Sequence, residues 1–411
     1  MNVTRRNFIK SLGLAGLWLS QSELLMLSAH AAGINKRLSG DKVLIVVQLS
    51  GGNDGLNTVV PYGMGKYYDV RPNISIKPNE IIPLTGQIGL NPNMTGLAEL
   101  YKQGKLAIVQ AAGYNNPNRS HFRSIEIWQT ACPDRIRETG WLGRYLDQTC
   151  ANKSKTDTLL SAVNVDTVLP KTLSANKVIV PSVANVNDFR FQVDPDFPQD
   201  RQAQISAFKD IYNNFSLQRP YVDLLRKVGL EANSASDYLL NVTKNYRGSQ
   251  TYPETEFARG LKFIAQMITG GVNSRLYSIS LNGFDTHTNQ QLVQNRLIKQ
   301  LSEGLTSFHL DLNQQGVADD VLILVFSEFG RRVAENNGRG TDHGTAEPVF
   351  ILGNGVKGSI IGDHPSLTNL DDGDLRHKID FRSIYATILD RWLKADSQSI
   401  LGGQFDQLSF V

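Results

Sequence analysis

Four short stretches hold the side chains able to do acid–base, nucleophilic or metal chemistry. In "SGGNDGLN", Asp54 sits among Gly51, Gly52 and Gly55, whose backbone freedom permits tight turns around a single acid. Such an acid suits a metal ion, although a turn aspartate also caps local amides. In "NRSHFRSIEIWQTA", Ser120 stands where a helix begins, either as its cap or as a nucleophile at the positive end of the helix dipole. Arg119 and Arg123 flank it as candidate holders of an anion, and His121 is a candidate base or ligand. In "LNGFDTHTNQ", Asp285 and His287 are two apart, so on extended chain they face one side, and carboxylate plus imidazole suits zinc or manganese. The fourth stretch runs from Glu328 in "SEFGR" to the adjacent Asp342 and His343 in "GTDHGTAEP". An acid and a histidine side by side before an apolar run are costly to bury unless paired or ligating.

These stretches are separated by elements that would present them together. "KVLIVVQLS", "KLAIVQAAG", "SRLYSISLNG", "DDVLILVFSEFG" and "EPVFILGNG" are apolar runs rich in β-branched residues, as expected of strands buried on both faces. Helical patterns alternate with them, notably 253–269, 290–313 and 381–393. The alternation predicts an α/β sandwich with a mostly parallel central sheet, in which chemistry gathers in loops at strand C-termini. Residues 152–271 are less strand-like and predict a helical cap or insertion. Asp54, Ser120, Asp285, His287, Glu328, Asp342 and His343 would then converge on one crevice.

The 411 residues carry a formal net charge of +3. Three cations and one acid of that balance lie in residues 1–31, leaving the rest near neutral, so composition offers no case for nucleic-acid binding. The first 31 residues look like a twin-arginine (Tat) signal peptide: Arg5-Arg6, a short apolar run and Ala29-His30-Ala31. Tat translocase would be a partner during export, and the mature chain, 32–411, would be periplasmic or extracellular with no stable transmembrane span. Cys132 and Cys150 could pair in such a compartment but form no C-x-x-C motif. Dinucleotide, Walker, haem and iron–sulfur motifs are missing, which disfavours a redox enzyme.

The leader, "GGNDGLNTVVPYG", "SHFRSIEIWQTA", "GWLGRYLD", "GFDTHTNQ", "SEFGR" and "GTDHGTAEPVFILGNGVKG" together resemble the domain-of-unknown-function 1501 family, itself similar to the alkaline phosphatase and sulfatase superfamily. The resemblance implies a three-layer α/β/α sandwich, alkaline phosphatase-like, with a metal-dependent hydrolytic site. It would make Asp54 a ligand of one metal, Ser120 the nucleophile, Asp285 and His287 ligands of another metal, and His343 the last ligand. There are departures. The superfamily's Asp-His doublet is replaced by Ser327-Glu328, with Asp342-His343 following the loop, and "SHFR" lacks the proline of a sulfatase frame. One ion, two in altered geometry, or none are all compatible with this set. Two functions follow: a metal-dependent hydrolase of phosphate or sulfate esters, or a non-catalytic descendant acting through a protein partner at the cell surface or in the periplasm.

Overall fold

The computed structural model describes residues 41–151, 160–185, 194, 196–214 and 236–411. The signal-peptide reading and parts of the 152–271 segment lie outside the described residues.

The apolar runs form one eight-stranded sheet. Its strands are β1 (Val43–Ser50), β2 (Leu106–Gly113), β3 (Ala162–Asn164), β4 (Leu276–Asn282), β5 (Val321–Ser327) and β6 (Glu347–Leu352), with the two-residue β7 (Ile360–Ile361) and β8 (Ile379–Asp380). The order is β7–β2–β6–β5–β1–β4–β3, and β8 also pairs with β2. β1 is central, in register with β4 on one side and β5 on the other, both parallel.

The helices include α1 (Thr95–Lys102), α2 (His121–Thr130), α3 (Trp141–Thr149), α4 (Arg201–Asn214), α5 (Glu256–Thr269), α6 (Gln290–Gln314) and α7 (Phe381–Thr387). The period-two alternation of β1 divides them into two layers. Val43, Ile45, Val47 and Leu49 face a core shared with α1, α5 and α6. Leu44 and Val46 face a second core holding α2, α3 and α7. Trp128 of α2 stacks between Phe326 of β5 and Phe381 of α7, which locks α2 to the sheet close to its functional end. Burying a large apolar side chain of this kind stabilises by about 1.5–3 kcal/mol. The result is a three-layer α/β/α sandwich, mostly parallel.

The sheet departs from expectation at β6, which runs antiparallel to both β5 and β2. Reversal has a direct consequence. The loop from Glu328 to Ala346 leaves the C-terminal end of β5 and enters β6 at the same sheet edge, so Asp342 and His343 precede their strand yet reach the crevice. Two pieces of the expected insertion also belong to the sandwich: β3 pairs with β4, and α5 packs in the first core. The expected helix 381–393 is present but changes to π geometry at Ile388–Trp392. Cys132 and Cys150 are unpaired. Among the described residues no helix is long and apolar enough to cross a membrane.

Candidate metal centre

At the C-terminal edge of β1, β4 and β5, two loops are stitched together by backbone bonds. Asn289 N donates to Gly338 O, Gln290 N to Arg339 O and Thr341 N to Thr286 O. This stitching sets the β4–α6 loop, with Asp285 and His287, against the β5–β6 loop, with Asp342 and His343. α2 contributes its first residue, His121, from across the crevice.

Three imidazoles surround one carboxylate. Nε2 of His287 lies 3.0 Å and Nε2 of His343 lies 3.1 Å from Asp285 Oδ1. His121 Nε2 is 3.5 Å from Asp285 Oδ2. The two Nε2 atoms of His287 and His343 are 3.1 Å apart. Behind each ring, Nδ1 meets an acceptor: Glu328 Oε1 at 2.8 Å for His121, Asp342 Oδ1 at 3.2 Å for His287, and the Arg119 carbonyl at 2.8 Å for His343. Each Nδ1 can therefore donate outward from a neutral ring, and all three Nε2 atoms face Asp285. The Phe329 ring packs on His121 and His343 and limits their rotation. His121 Nε2 is buried with no hydrogen-bond partner.

The floor of the site is a buried guanidinium. Arg331 Nη2 donates to Asp285 Oδ1 at 2.7 Å and to Phe284 O, while its other nitrogens bond Gly52 O and Thr341 O. Gly51 O accepts from it too. Gly51 must be glycine: its φ is +119°, and a Cβ there would lie 2.4 Å from the Asp285 nitrogen. Burial pushes the Asp285 carboxyl up, but hydrogen bonds from Arg331 and His343 outweigh that and hold it at about 2. The hydrogen bond to Glu328 raises His121 above the ordinary imidazole range, against the opposing effect of burial. Burial lowers His343. Asp342 is held down by Asn336 and then by His287. Asp285 and His287 are 49% and 41% exposed, so a solute can reach them.

Asp285, His287 and His343 therefore share one cluster, and His121 joins it as a candidate ligand. Glu328 and Asp342 stand behind imidazoles, each accepting from an Nδ1, in the position of groups that orient ligands. Asp54 lies elsewhere: fully buried, 2.6 Å from Arg71 Nη1 and capping Leu56 N. Ser120 is exposed and makes no side-chain cap bond to α2. The Arg119 side chain binds Asp374 and Asp372, and Arg123 binds Glu126 and Pro133 O, so both guanidinia already have partners. Sequence reading passed over Arg331, Arg71 and Phe329. None has a local signal, because each is defined by partners from distant strands.

A search of curated proteins finds no match. Among solved structures, a protein of the alkaline phosphatase superfamily from Vibrio parahaemolyticus is similar at 9% identity and TM-score 0.40, over 94% of this chain and 80% of that one. The sulfatase PsFucS1 from Pseudoalteromonas sp. is similar at 12% identity and TM-score 0.36, over 99% of this chain and 75% of that one. A family model described as a protein of unknown function, DUF1501, matches residues 107–404, more than half of the sequence, and the chain belongs to that family.

Proposed function

We propose that this protein is an exported hydrolase of phosphate or sulfate esters that holds one divalent ion, zinc or manganese, between His121, Asp285, His287 and His343. One observation carries the metal reading. Each Nδ1 has an acceptor behind it, while two Nε2 atoms and a carboxylate oxygen lie 3.0–3.1 Å from one another. With the rings protonated at Nδ1 those three atoms together form a ready cation site, and in metal-free protein a proton on Nε2 takes the cation's place. The donor set, imidazole nitrogens with one carboxylate oxygen, fits zinc or manganese, and the orphaned His121 Nε2 supplies a further donor.

When bound, the ion would supply Lewis acidity and lower the proton affinity of an attached oxygen nucleophile. The chain's own residues do the rest. Glu328, Asp342 and the Arg119 carbonyl fix the imidazole tautomers. Arg331 keeps Asp285 ionised. Ser120, next to His121 and unencumbered by capping, is the candidate nucleophile, placed where the α2 dipole favours an anion. A cavity of about 440 Å³, bordered by Arg119, Phe329, Trp128 and Arg376, lies beside the cluster and would take the remainder of the ester.

The ester class rests on the motif resemblance rather than on the geometry. One observation favours the alternative of a non-catalytic interaction protein: Arg119 and Arg123, the expected anion holders, are already spent on Asp372, Asp374 and Glu126. Purified protein should contain about one zinc or manganese per chain by elemental analysis and hydrolyse an aryl phosphate or aryl sulfate. Ser120→Ala should abolish turnover and keep the ion. Bound metal without turnover across both ester classes would move the reading to the interaction protein, and absence of metal would remove the centre.

A further inference from the structure

The acid that the motif resemblance marks as a ligand, Asp54, is built into a different device. Its Oδ2 accepts from Arg71 Nη1 at 2.6 Å and from the Gln290 side-chain amide, and its Oδ1 accepts from Leu56 N. Gln290 passes the connection on, because its Oε1 accepts from Thr341 Oγ1. Arg71 spreads in the other direction: Nε donates to Val333 O and Nη2 to Arg332 O, both at 2.8 Å. Asp54, Arg71, Gln290 and Thr341 are all fully buried. Beside them, Glu335 accepts from Asn73 N and Ile74 N, and Glu335 N donates to Val70 O. The β5–β6 loop is thus held at 332–335 and again at 341, immediately before Asp342 and His343.

We propose that Asp54, with Arg71, Gln290 and Thr341, is a buried clamp that positions the 331–343 loop, and with it His343, rather than a metal ligand. The proposal rests on reading the histidine cluster as a metal centre, but the clamp has its own observable. An ionised carboxylate without water needs a partner charge and hydrogen bonds. Arg71 and Gln290 meet that requirement, and Arg71 satisfies its other nitrogens on backbone carbonyls of the loop. Pulling Asp54 toward an ion would strand Arg71 in the interior.

The test uses zinc alone as probe, with affinity from chelator competition, and hydrogen exchange of residues 331–343 in metal-free protein. Asp54→Asn should keep one zinc per chain with affinity weakened about 10-fold, the scale of an outer partner's contribution. Thr341→Val, which removes one hydroxyl, should weaken it to a similar extent and speed exchange in the loop. Thr341→Ser should restore both. Loss of the ion in Asp54→Asn with unchanged Thr341→Val would overturn the clamp and make Asp54 a ligand. Wild-type affinity and exchange in both variants would overturn it equally. If the wild-type chain binds no zinc, the metal reading fails, and exchange alone decides: faster exchange in the two variants upholds the clamp, unchanged exchange sinks it. Should Asp54→Asn fail to fold, the Thr341 pair carries the same decision.

Discussion

Asp54 and Asp285 begin alike and end differently. Each follows a central strand of the parallel sheet, β1 and β4, which are neighbours in register. Each sits in a glycine-bearing turn, and each meets a buried arginine. Yet Asp54 is sealed, with its partners all inside the protein, whereas Asp285 is half-exposed and ringed by three imidazoles. An acid at a strand end is therefore an ambiguous signal. Its chemistry is set by whether the groups delivered around it leave a lone pair facing solvent or consume every one.

The sharpest way to break the comparison is Arg71→Met. It leaves Asp54 as an uncompensated buried charge and should destabilise the fold by about 3–5 kcal/mol in urea titration. If Asp54 were instead open to a cation like Asp285, added zinc would stabilise the variant by more than it stabilises the wild type through the histidine cluster. The expected outcome is an equal increment in both. Next comes His343→Ala, which removes an inward-facing donor. Zinc affinity should fall by more than about 100-fold, beyond the range of outer partners, with little change in the stability of metal-free protein. Glu328→Gln should do less. Its side chain still reaches His121, but it no longer presents a charged acceptor to Nδ1, and affinity should drop roughly 10- to 100-fold.

The smallest effect concerns pH and Asp285. Its carboxyl is held at about 2, below the usual 3.8, by Arg331 and His343 against burial. A depressed folded-state value contributes stability that is complete above the unfolded value and disappears as pH falls from about 4 to about 2. Because the group is half-exposed, solvent screening should keep this below about 1 kcal/mol. Asp285→Asn should flatten that part of the acid-unfolding curve in metal-free protein. A steeper curve in the variant would show that Arg331 does not favour the ionised acid.

Much of the scaffold was legible from residue patterns alone. "KVLIVVQLS" is apolar on both faces because the strand it forms lies between two helical layers, and the same reasoning located β2, β4, β5 and β6. Direction was not legible. β6 is as apolar as its parallel neighbours, and nothing in "EPVFIL" distinguishes an antiparallel strand from a parallel one. The site was legible as a set of residue types: Asp285, His287 and His343 were named as ligand candidates, and the structure brings them within hydrogen-bonding distance. Their division of labour was not. Glu328 and Asp342 look like ligands in a one-dimensional list, and only the ring orientations place them behind histidines.

The sequence by itself determined the sandwich, the strand-end loops and the pool of acids and imidazoles, because burial and periodicity act over a few consecutive residues. Tertiary structure alone decided which acid meets solvent and which meets a guanidinium. Arg71 finds Asp54 across 17 positions and Arg331 finds Asp285 across 46, while Glu328 reaches back 207 positions to His121. A short-range electrostatic contact depends on the distance between charged atoms in space, and spacing along the chain does not record that distance once the strands have been ordered.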